Sequence, residues 1–401
     1  MFDFSPNDEQ KVMLEKATEI MEKYVYPNEK YMVPHRGLPD EILKPLQQIV
    51  KKEGLWAGHL PKEVGGMGVG FLSLGLLSEV IAQSPAGPYV FGSMAPDAGN
   101  GEILWHAATE EQKQKYLIPL ANGDIRSCFA MTEPEVSGSD PRMLQGKAEK
   151  DGDEWVINAN KWYTTGAVGA SFTIAMVVTD PDNDPHHRTS LFIVDTDNPG
   201  FEVVREVPVM GDHYPGGHCE VRFTNCRVQE KDMLGKRGEG FKLAQLRLGP
   251  GRITHAMRWI GVARRCLQEL VDFAQEQKVG DKTLADSQII QNYIADSEAE
   301  IQAARLLTLQ AAWRMDQGDE ARSEVSIIKF FGAKVLNDVI DRSIQVHGMY
   351  GLTPDKVLEG FYREARAARI YDGADEVHRM VVARQIIKEN KRNKLERGIT
   401  I

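Results

Sequence analysis

The hydrophobic period of this chain changes twice, and those two changes limit the fold more than any single motif does. From the start to about residue 125, apolar residues recur at helical intervals. From about 125 to 240 the chain breaks into short β-branched and aromatic runs, and from about 240 to 390 the helical period returns over long segments. Side chains alternate faces along a strand but return every ~3.6 residues along a helix, so no segment satisfies both patterns. The 401 residues therefore predict an N-terminal helical domain over 1–125, an antiparallel β-domain over 126–240 and a C-terminal four-helix bundle over 241–401. A prior of roughly 150 residues per domain agrees with two or three parts.

Local signals support each part. SPNDEQKVMLEKATEIMEKYV places Ser5 as a helix cap with Pro6 beside it, ahead of apolar residues at helical spacing. DEILKPLQQIVKKEG predicts a second helix ending at Gly54, LPKEVGGMGVGF a glycine-rich turn, and LSLGLLSEVIAQ a buried helix. TEEQKQKYLIPLANG, residues 109–123, opens with a capping-box pattern and closes on Gly123. EWVINANKWYTT, SFTIAMVVTD, TSLFIVDT, FEVVREVPV and CEVRFTNCRV read as strands separated by Asp, Asn, Pro and Gly. ITHAMRWIGVARRCLQELVDFAQEQ then carries Ala256, Ile260, Ala263, Leu267, Leu270 and Phe273 at helical spacing, and segments 287–318 and 323–348 have similar stripes.

Composition narrows the function classes. An apolar content of 42% is enough to bury a large core. The net charge of −10 argues against nucleic acid as a partner, and the basic run KENKRNKLER reads as a solvated helix end. Cys128, Cys219, Cys226 and Cys266 form no CxxC pair, so neither a zinc site nor a disulfide framework is expected and a reducing compartment fits. His186 and His187 sit in the polar loop PDNDPHHRT without partners at ligand spacing, and no metal is expected there. The stretch MFDFSPNDEQ has no apolar leader character, and no run approaches ~18 apolar residues, so the expectation is a soluble, cytoplasmic protein without a membrane partner.

Four stretches carry chemistry. IYDGADEVHRMVVARQIIK, residues 370–388, sets Asp372 just ahead of an amphipathic helix marked by Val377, Met380, Val381, Arg384 and Ile387. Gly373 permits a tight backbone and Asp375 is a plausible N-cap, so Asp372 is either a base or only a turn residue. CFAMTEPEVSGSD, residues 128–140, offers the Thr132 hydroxyl, a turn at Pro134, and hydroxyls and close N–H groups at Ser137, Gly138 and Ser139, suited to phosphate or a flavin edge. KWYTTGA, residues 161–167, adds aromatic rings and hydroxyls, which ordinary strand packing also explains. IQVHGMYG, residues 344–351, ends a long helix in a glycine turn.

In this order the four stretches resemble the acyl-CoA dehydrogenase family over essentially the whole chain. APDAGN, MTEPEVSGSD with its extra residue before the final GSD, RLGPGRI and DGADEVH are similar to the subgroup of mammalian family members ten and eleven and their bacterial relatives. The resemblance implies FAD bound in extended form between β-domain and bundle, in a homodimer or homotetramer whose neighbouring subunit meets the adenine end. It assigns Met131, Thr132, Gly138 and Ser139 to the cofactor, with Tyr163 where much of the family has a Trp over the flavin face and Thr165 two positions on. Gln345 and Gly348 match the turn that approaches the ADP moiety of a neighbour's FAD, although Met349 stands where many relatives have a second Gly. Ala374 and Glu376 complete the cofactor set, and Arg252, Tyr371 and Gly373 fall on the substrate side. Gly251 occupies the position where some relatives carry a catalytic glutamate, so Asp372 matches the other base location, usually Glu in the wider family and Asp in this subgroup. One departure concerns Gln277 and Gly280, which stand where many members have an Arg and a Phe that grip FAD across the dimer.

The reaction implied is α,β-dehydrogenation of an acyl-CoA thioester to the trans-2-enoyl-CoA. Asp372 would remove the α proton as hydride leaves the β carbon for flavin N5, and electrons would pass on to an electron-transferring flavoprotein. A free aspartate titrates near ~3.9, so desolvation by bound thioester is the expected way to make it a base near neutral pH. In the family the enolate oxygen is stabilised by the base residue's own N–H and a ribityl hydroxyl. Two other classes stay open: an oxidase of the same fold, either acyl-CoA oxidase or nitroalkane oxidase, and a non-catalytic binding scaffold. CoA dependence and O₂ consumption separate the oxidases. The subgroup resemblance permits long, branched or 4-substituted acyl groups.

Overall fold

The computed structural model describes residues 4–33, 37–210 and 214–396. Helices α1 (Asp8–Ile20), α2 (Asp40–Lys52), α3 (Phe71–Ile81) and α4 (Asp97–Ala107) precede an eight-stranded sheet. Helices α5 (Gly240–Glu276), α6 (Gln288–Asp316), α7 (Arg322–His347), α8 (Leu358–Ala367) and α9 (Asp375–Glu396) follow it. This mostly α architecture with a central β-domain is the one that the period changes predict. Packing divides the chain differently from its order: Met1–Thr18, Gly70–Pro85 and Arg252–Ile401 make one unit, Glu19–Val69 and Ala86–Gly251 the other.

The first unit is held by helix faces rich in small residues. Ile253, Ala256, Met257, Ile260, Ala263 and Cys266 of α5 recur every three or four positions and are buried against Ile301, Ala304 and Leu309 of α6 and Ile328, Leu336 and Val339 of α7. Leu358, Phe361 and Ala365 of α8 join the same core. Alanines let the axes approach, and Gly261 goes further, since a Cβ there would lie 2.3 Å from the Glu79 carbonyl oxygen of α3. The Glu79 carboxylate, 9% exposed, accepts from Arg264 of α5 at 2.6 Å and from Arg305 of α6 at 2.8 Å. A single buried charge thus joins three helices. Asp316 supplies the N-terminal partner of α3, accepting from the Phe71 and Leu72 amides at 2.6 and 3.0 Å.

In the second unit the strands are β1 (Ser127–Ala130), β2 (Lys147–Asp151), β3 (Glu154–Thr165), β4 (Phe172–Val178), β5 (Thr189–Asp195), β6 (Phe201–Glu206), β7 (His218–Gln229) and β8 (Met233–Leu234). Their order is β6-β7-β3-β2-β4-β5-β8, with β1 beside β4. Most neighbours are antiparallel, as expected, but β1 and β2 both run parallel to β4, so the sheet is mixed. Every residue of β4 is buried, which is why its run FTIAMVV shows no alternation. KAEKD in β2 buries only Ala148 and therefore carries no strand signal of its own.

Several local expectations shift by a few residues. Helix α1 is capped by Asn7, whose side chain accepts from the Gln10 amide while Gln10 Oε1 accepts from the Asn7 amide, both at 2.9 Å; Ser5 lies outside that exchange. The capping box at Thr109 and Gln112 is present as predicted, as is the left-handed stop at Gly123. Helix α5 begins at Gly240 rather than Ile253, because burial of its later turns overrides the glycines and proline along the way. On α9 Met380 and Ile387 are exposed, while Asp375 and His378 are buried, so its inward face is led by polar groups rather than by the apolar stripe. Asp375 is the first helical residue, and its carboxylate turns back to Arg369 instead of capping. No helix among the described residues is long and apolar enough to cross a membrane.

Candidate active site

Asp372 lies between α8 and α9 in the left-handed region, at φ +54°. Few non-glycine residues adopt that conformation, and each needs surroundings that hold it. Its carbonyl oxygen accepts from Arg252 Nε and Nη2 at 3.3 and 3.2 Å and from His378 Nε2 at 3.1 Å. Gly373 follows at φ +100°, and a Cβ there would sit 2.7 Å from His378 Nε2, so only glycine lets the ring reach that carbonyl. Burial and the nearby Arg252 push the His378 pKa down to about 4, which leaves the ring neutral near pH 7.

Three rings cluster beside Asp372: Trp259, Tyr371 and His255. Trp259 Nε1 donates to the Tyr371 hydroxyl at 2.9 Å, and His255 lies 5.3 Å from the Tyr371 ring and 6.2 Å from the Trp259 ring. Although 37% of the Tyr371 surface is exposed, desolvation of its phenol raises the pKa, so the hydroxyl stays protonated. Lys329 of α7 reaches under this cluster, donating to the Ala368 carbonyl at 2.7 Å, with its ammonium 5.7 and 5.9 Å from the Trp259 and Tyr371 rings. It is 3.9 Å from Asp375 Oδ1, a charge neighbour rather than a hydrogen bond. Burial lowers the Lys329 pKa to about 8, against the pull of Asp375 and Asp372. Ala374 is half-buried and Glu376 exposed at the start of α9. At the end of α7, Gln345 and Gly348 are exposed, with Gly348 at φ +60° and open space where a Cβ would be.

The second unit gathers the other predicted residues at one turn. Met131 and Thr132 follow β1, and their carbonyls accept from Lys161 Nζ and the Trp162 amide, both at 3.0 Å. Glu133 and Lys161 are buried and paired at 2.7 Å; Glu133 also accepts from the Gln145 and Gly146 amides, and Lys161 also donates to the Met176 carbonyl. A buried pair this well satisfied fixes the turn from beneath. Above it Ser137, Gly138 and Ser139 are exposed, the two serine hydroxyls 2.8 Å apart. Tyr163 is held at φ +53° with 45% of its surface exposed, and the Thr165 hydroxyl meets His218 Nδ1 at 2.8 Å. Tyr163 and Asp372 are thus two of the six non-glycine residues with positive φ among the described residues.

Sequence reasoning missed His255, Lys329, His378 and the Glu133–Lys161 pair. His255 stands one helical turn beyond Arg252, and His378 lies within the quoted DGADEVH motif, so both were near the signal. Glu133 and Lys161 stood inside the quoted CFAMTEPEVSGSD and KWYTTGA stretches with nothing to show that they pair, and Lys329 carried no signal, since a lysine inside an apolar stripe reads as solvated until its partners are known. The loop at Gln277 and Gly280 forms a two-strand turn pairing Lys278–Val279 with Lys282–Thr283, and Gly280 at φ +63° makes its corner.

Three family models match successive stretches: the acyl-CoA dehydrogenase N-terminal domain over residues 7–124, the middle domain over 128–226 and the C-terminal domain over 238–387. The chain is 41% identical over 355 residues to probable acyl-CoA dehydrogenase FadE2 of Mycobacterium tuberculosis, covering 87% of this chain and 86% of that protein. It is 38% identical over 395 residues to acyl-CoA dehydrogenase family member 10 of Mus musculus, covering 95% of this chain but 37% of that longer protein. Among solved structures, a putative acyl-CoA dehydrogenase from Mycobacterium abscessus superposes with a TM-score of 0.91 at 36% identity, covering 96% of this chain and all of that one (100%). On these matches the chain belongs to the acyl-CoA dehydrogenase family of FAD-dependent enzymes.

Proposed function

We propose that this protein dehydrogenates an acyl-CoA thioester between its α and β carbons, with Asp372 as the base. The carrying observation is the Asp372 turn, whose backbone is clamped at φ +54° by Arg252 and His378 while its side chain stays 20% exposed. A conformation that costs of order 1 kcal/mol and is held from two sides supports a role beyond capping. Arg252, Tyr371 and Gly373 would line the thioester side. Trp259 and Tyr371 would keep water from the carboxylate once substrate is in place, which favours proton transfer to it.

The residues present fit FAD. Two exposed serine hydroxyls stand on a turn pinned by a buried ion pair, and a Cβ at Gly138 would meet Thr132 Cγ2 at 3.1 Å, which keeps that backbone bare. Met131, Thr132, Gly138, Ser139, Tyr163, Thr165, Ala374 and Glu376 would serve this cofactor, and Gln345 and Gly348 would meet the ADP moiety of a neighbouring subunit's FAD. When bound, FAD supplies the acceptor for the β hydride. Asp372 takes the α proton, contributing about 10²–10⁴-fold as a positioned base. We further propose an electron-transferring flavoprotein as the electron acceptor, a homodimer or homotetramer as the working assembly, and a cytoplasmic setting, which the four buried free thiols suit.

Anaerobic titration with acyl-CoA thioesters of graded length and branching tests the reading. Flavin should bleach with at least one thioester, enoyl-CoA should form, and Asp372→Asn should keep its FAD yet fail to bleach. An enzyme bleached by none of them, or an Asp372→Asn variant reduced at the wild-type rate, would overturn it.

A further inference from the structure

His255 contacts the carboxylate of the candidate base itself, whereas the Arg252 and His378 contacts described above are to its backbone carbonyl. Its Nε2 lies 3.2 Å from Asp372 Oδ2, and both side chains are 20% exposed. The two residues come from α5 and from the turn before α9, and nothing in their sequence spacing joins them. The Asp372 backbone is already fixed through its carbonyl by Arg252 and His378. What remains free is rotation of a short side chain, and a carboxylate that swings about that bond presents either oxygen, or neither, to a substrate. His255 removes that freedom only if it is itself held. Its ring packs beside those of Trp259 and Tyr371, at 6.2 and 5.3 Å, and these two are 6.1 Å apart and tied by the 2.9 Å hydrogen bond from Trp259 Nε1.

We propose that His255 is a positioning residue for the dehydrogenation proposed above: by donating from Nε2 to Oδ2 it turns Oδ1 toward the substrate α proton. The inference rests on Asp372 being the base. In the step, the α C–H bond breaks and its proton goes to Oδ1. The electron pair left behind forms the α,β double bond as the β hydride passes to the flavin. His255 keeps its proton throughout, so the balance requires nothing beyond substrate and cofactor. The advantage is geometric, since an ångström of misplacement in aligned proton and hydride transfer costs on the order of a hundredfold.

Two substitutions in the FAD-loaded enzyme separate donation from packing. His255→Phe keeps a ring beside Trp259 and Tyr371 but cannot donate; His255→Gln keeps an amide donor near the Nε2 position. Flavin reduction at saturating acyl-CoA should fall between about tenfold and a hundredfold in His255→Phe. It should stay within about fivefold of wild type in His255→Gln, with the acyl-CoA dissociation constant, FAD content and melting temperature unchanged in both. In crystal structures the Asp372 side chain should leave its rotamer in the Phe variant and keep it in the Gln variant. A Phe variant that reduces flavin at the wild-type rate, or whose carboxylate stays in place, overturns the assignment, as does a Gln variant no better than Phe. Failure of the underlying reading looks different: wild-type flavin would then not bleach with any acyl-CoA, whatever stands at 255.

Discussion

Asp372 and His378 stand six positions apart and share one hydrogen bond, but the neighbours of each decide what it can do. His378 is buried beside Arg252 and Lys329, so its charged form is disfavoured and its pKa falls from 6.5 to about 4. The unfolded chain therefore binds a proton before the folded one does. Stability from this group is present above about pH 6.5 and is lost as pH falls through about 4. His378→Gln retains a donor for the Asp372 carbonyl and removes that titration, so its denaturation midpoint should fall less than the wild type's between pH 7 and 4.5. Chemical denaturation at the two pH values checks this, and parallel losses would show that His378 does not titrate across folding. At this scale the sequence displayed Asp372, Gly373 and Arg252 through motif and turn chemistry. It was silent on Lys329, because its partners lie at Ala368 and Asp375, and only folding brings those residues to it.

Elements were legible wherever one face is buried and the other is not. The Thr109 capping box, the stop at Gly54 and the stripes of α6 and α7 all lie where periodicity placed them. β2 and the early turns of α5 were not, the first because four of its five residues face solvent, the second because its helical state is imposed from outside. Helix packing gives a sharp prediction at this scale. Gly261→Ala would place a methyl 2.3 Å from the Glu79 carbonyl oxygen, so α3 and α5 must separate. The cost should be about 1–3 kcal/mol despite alanine's better helix propensity. Thermal unfolding of the variant checks it, and a melting temperature at or above the wild type's would mean that the two helices yield freely.

For the whole molecule, the proposed FAD is the component whose binding can be measured most directly. The purified protein should be yellow, and added FAD should stabilise it by about 2.7 kcal/mol at a hundredfold excess over the dissociation constant, seen as a melting temperature that rises with FAD concentration. Because Gln345 and Gly348 are proposed to serve a neighbour's cofactor, dissociation of the proposed assembly should release FAD. Sedimentation with absorbance at flavin wavelengths measures both quantities at once. A monomer that keeps its flavin would remove the shared-cofactor arrangement, and the hairpin at Gly280 in place of an Arg and Phe grip makes this comparison informative.

The sequence by itself determined what depends on near neighbours along the chain: the order helix, strand, helix; the caps at Thr109 and Gly123; the left-handed corner at Gly373; and the motifs that mark the family. Tertiary structure decided what depends on residues far apart. It made β1 and β2 parallel to β4, drew α3 into the same unit as the C-terminal helices, and set His255 of α5 against the Asp372 carboxylate. The physical reason is range. Period and turn preference act over a few residues, whereas the direction of a carboxylate is set by whichever side chains the packed core delivers to it.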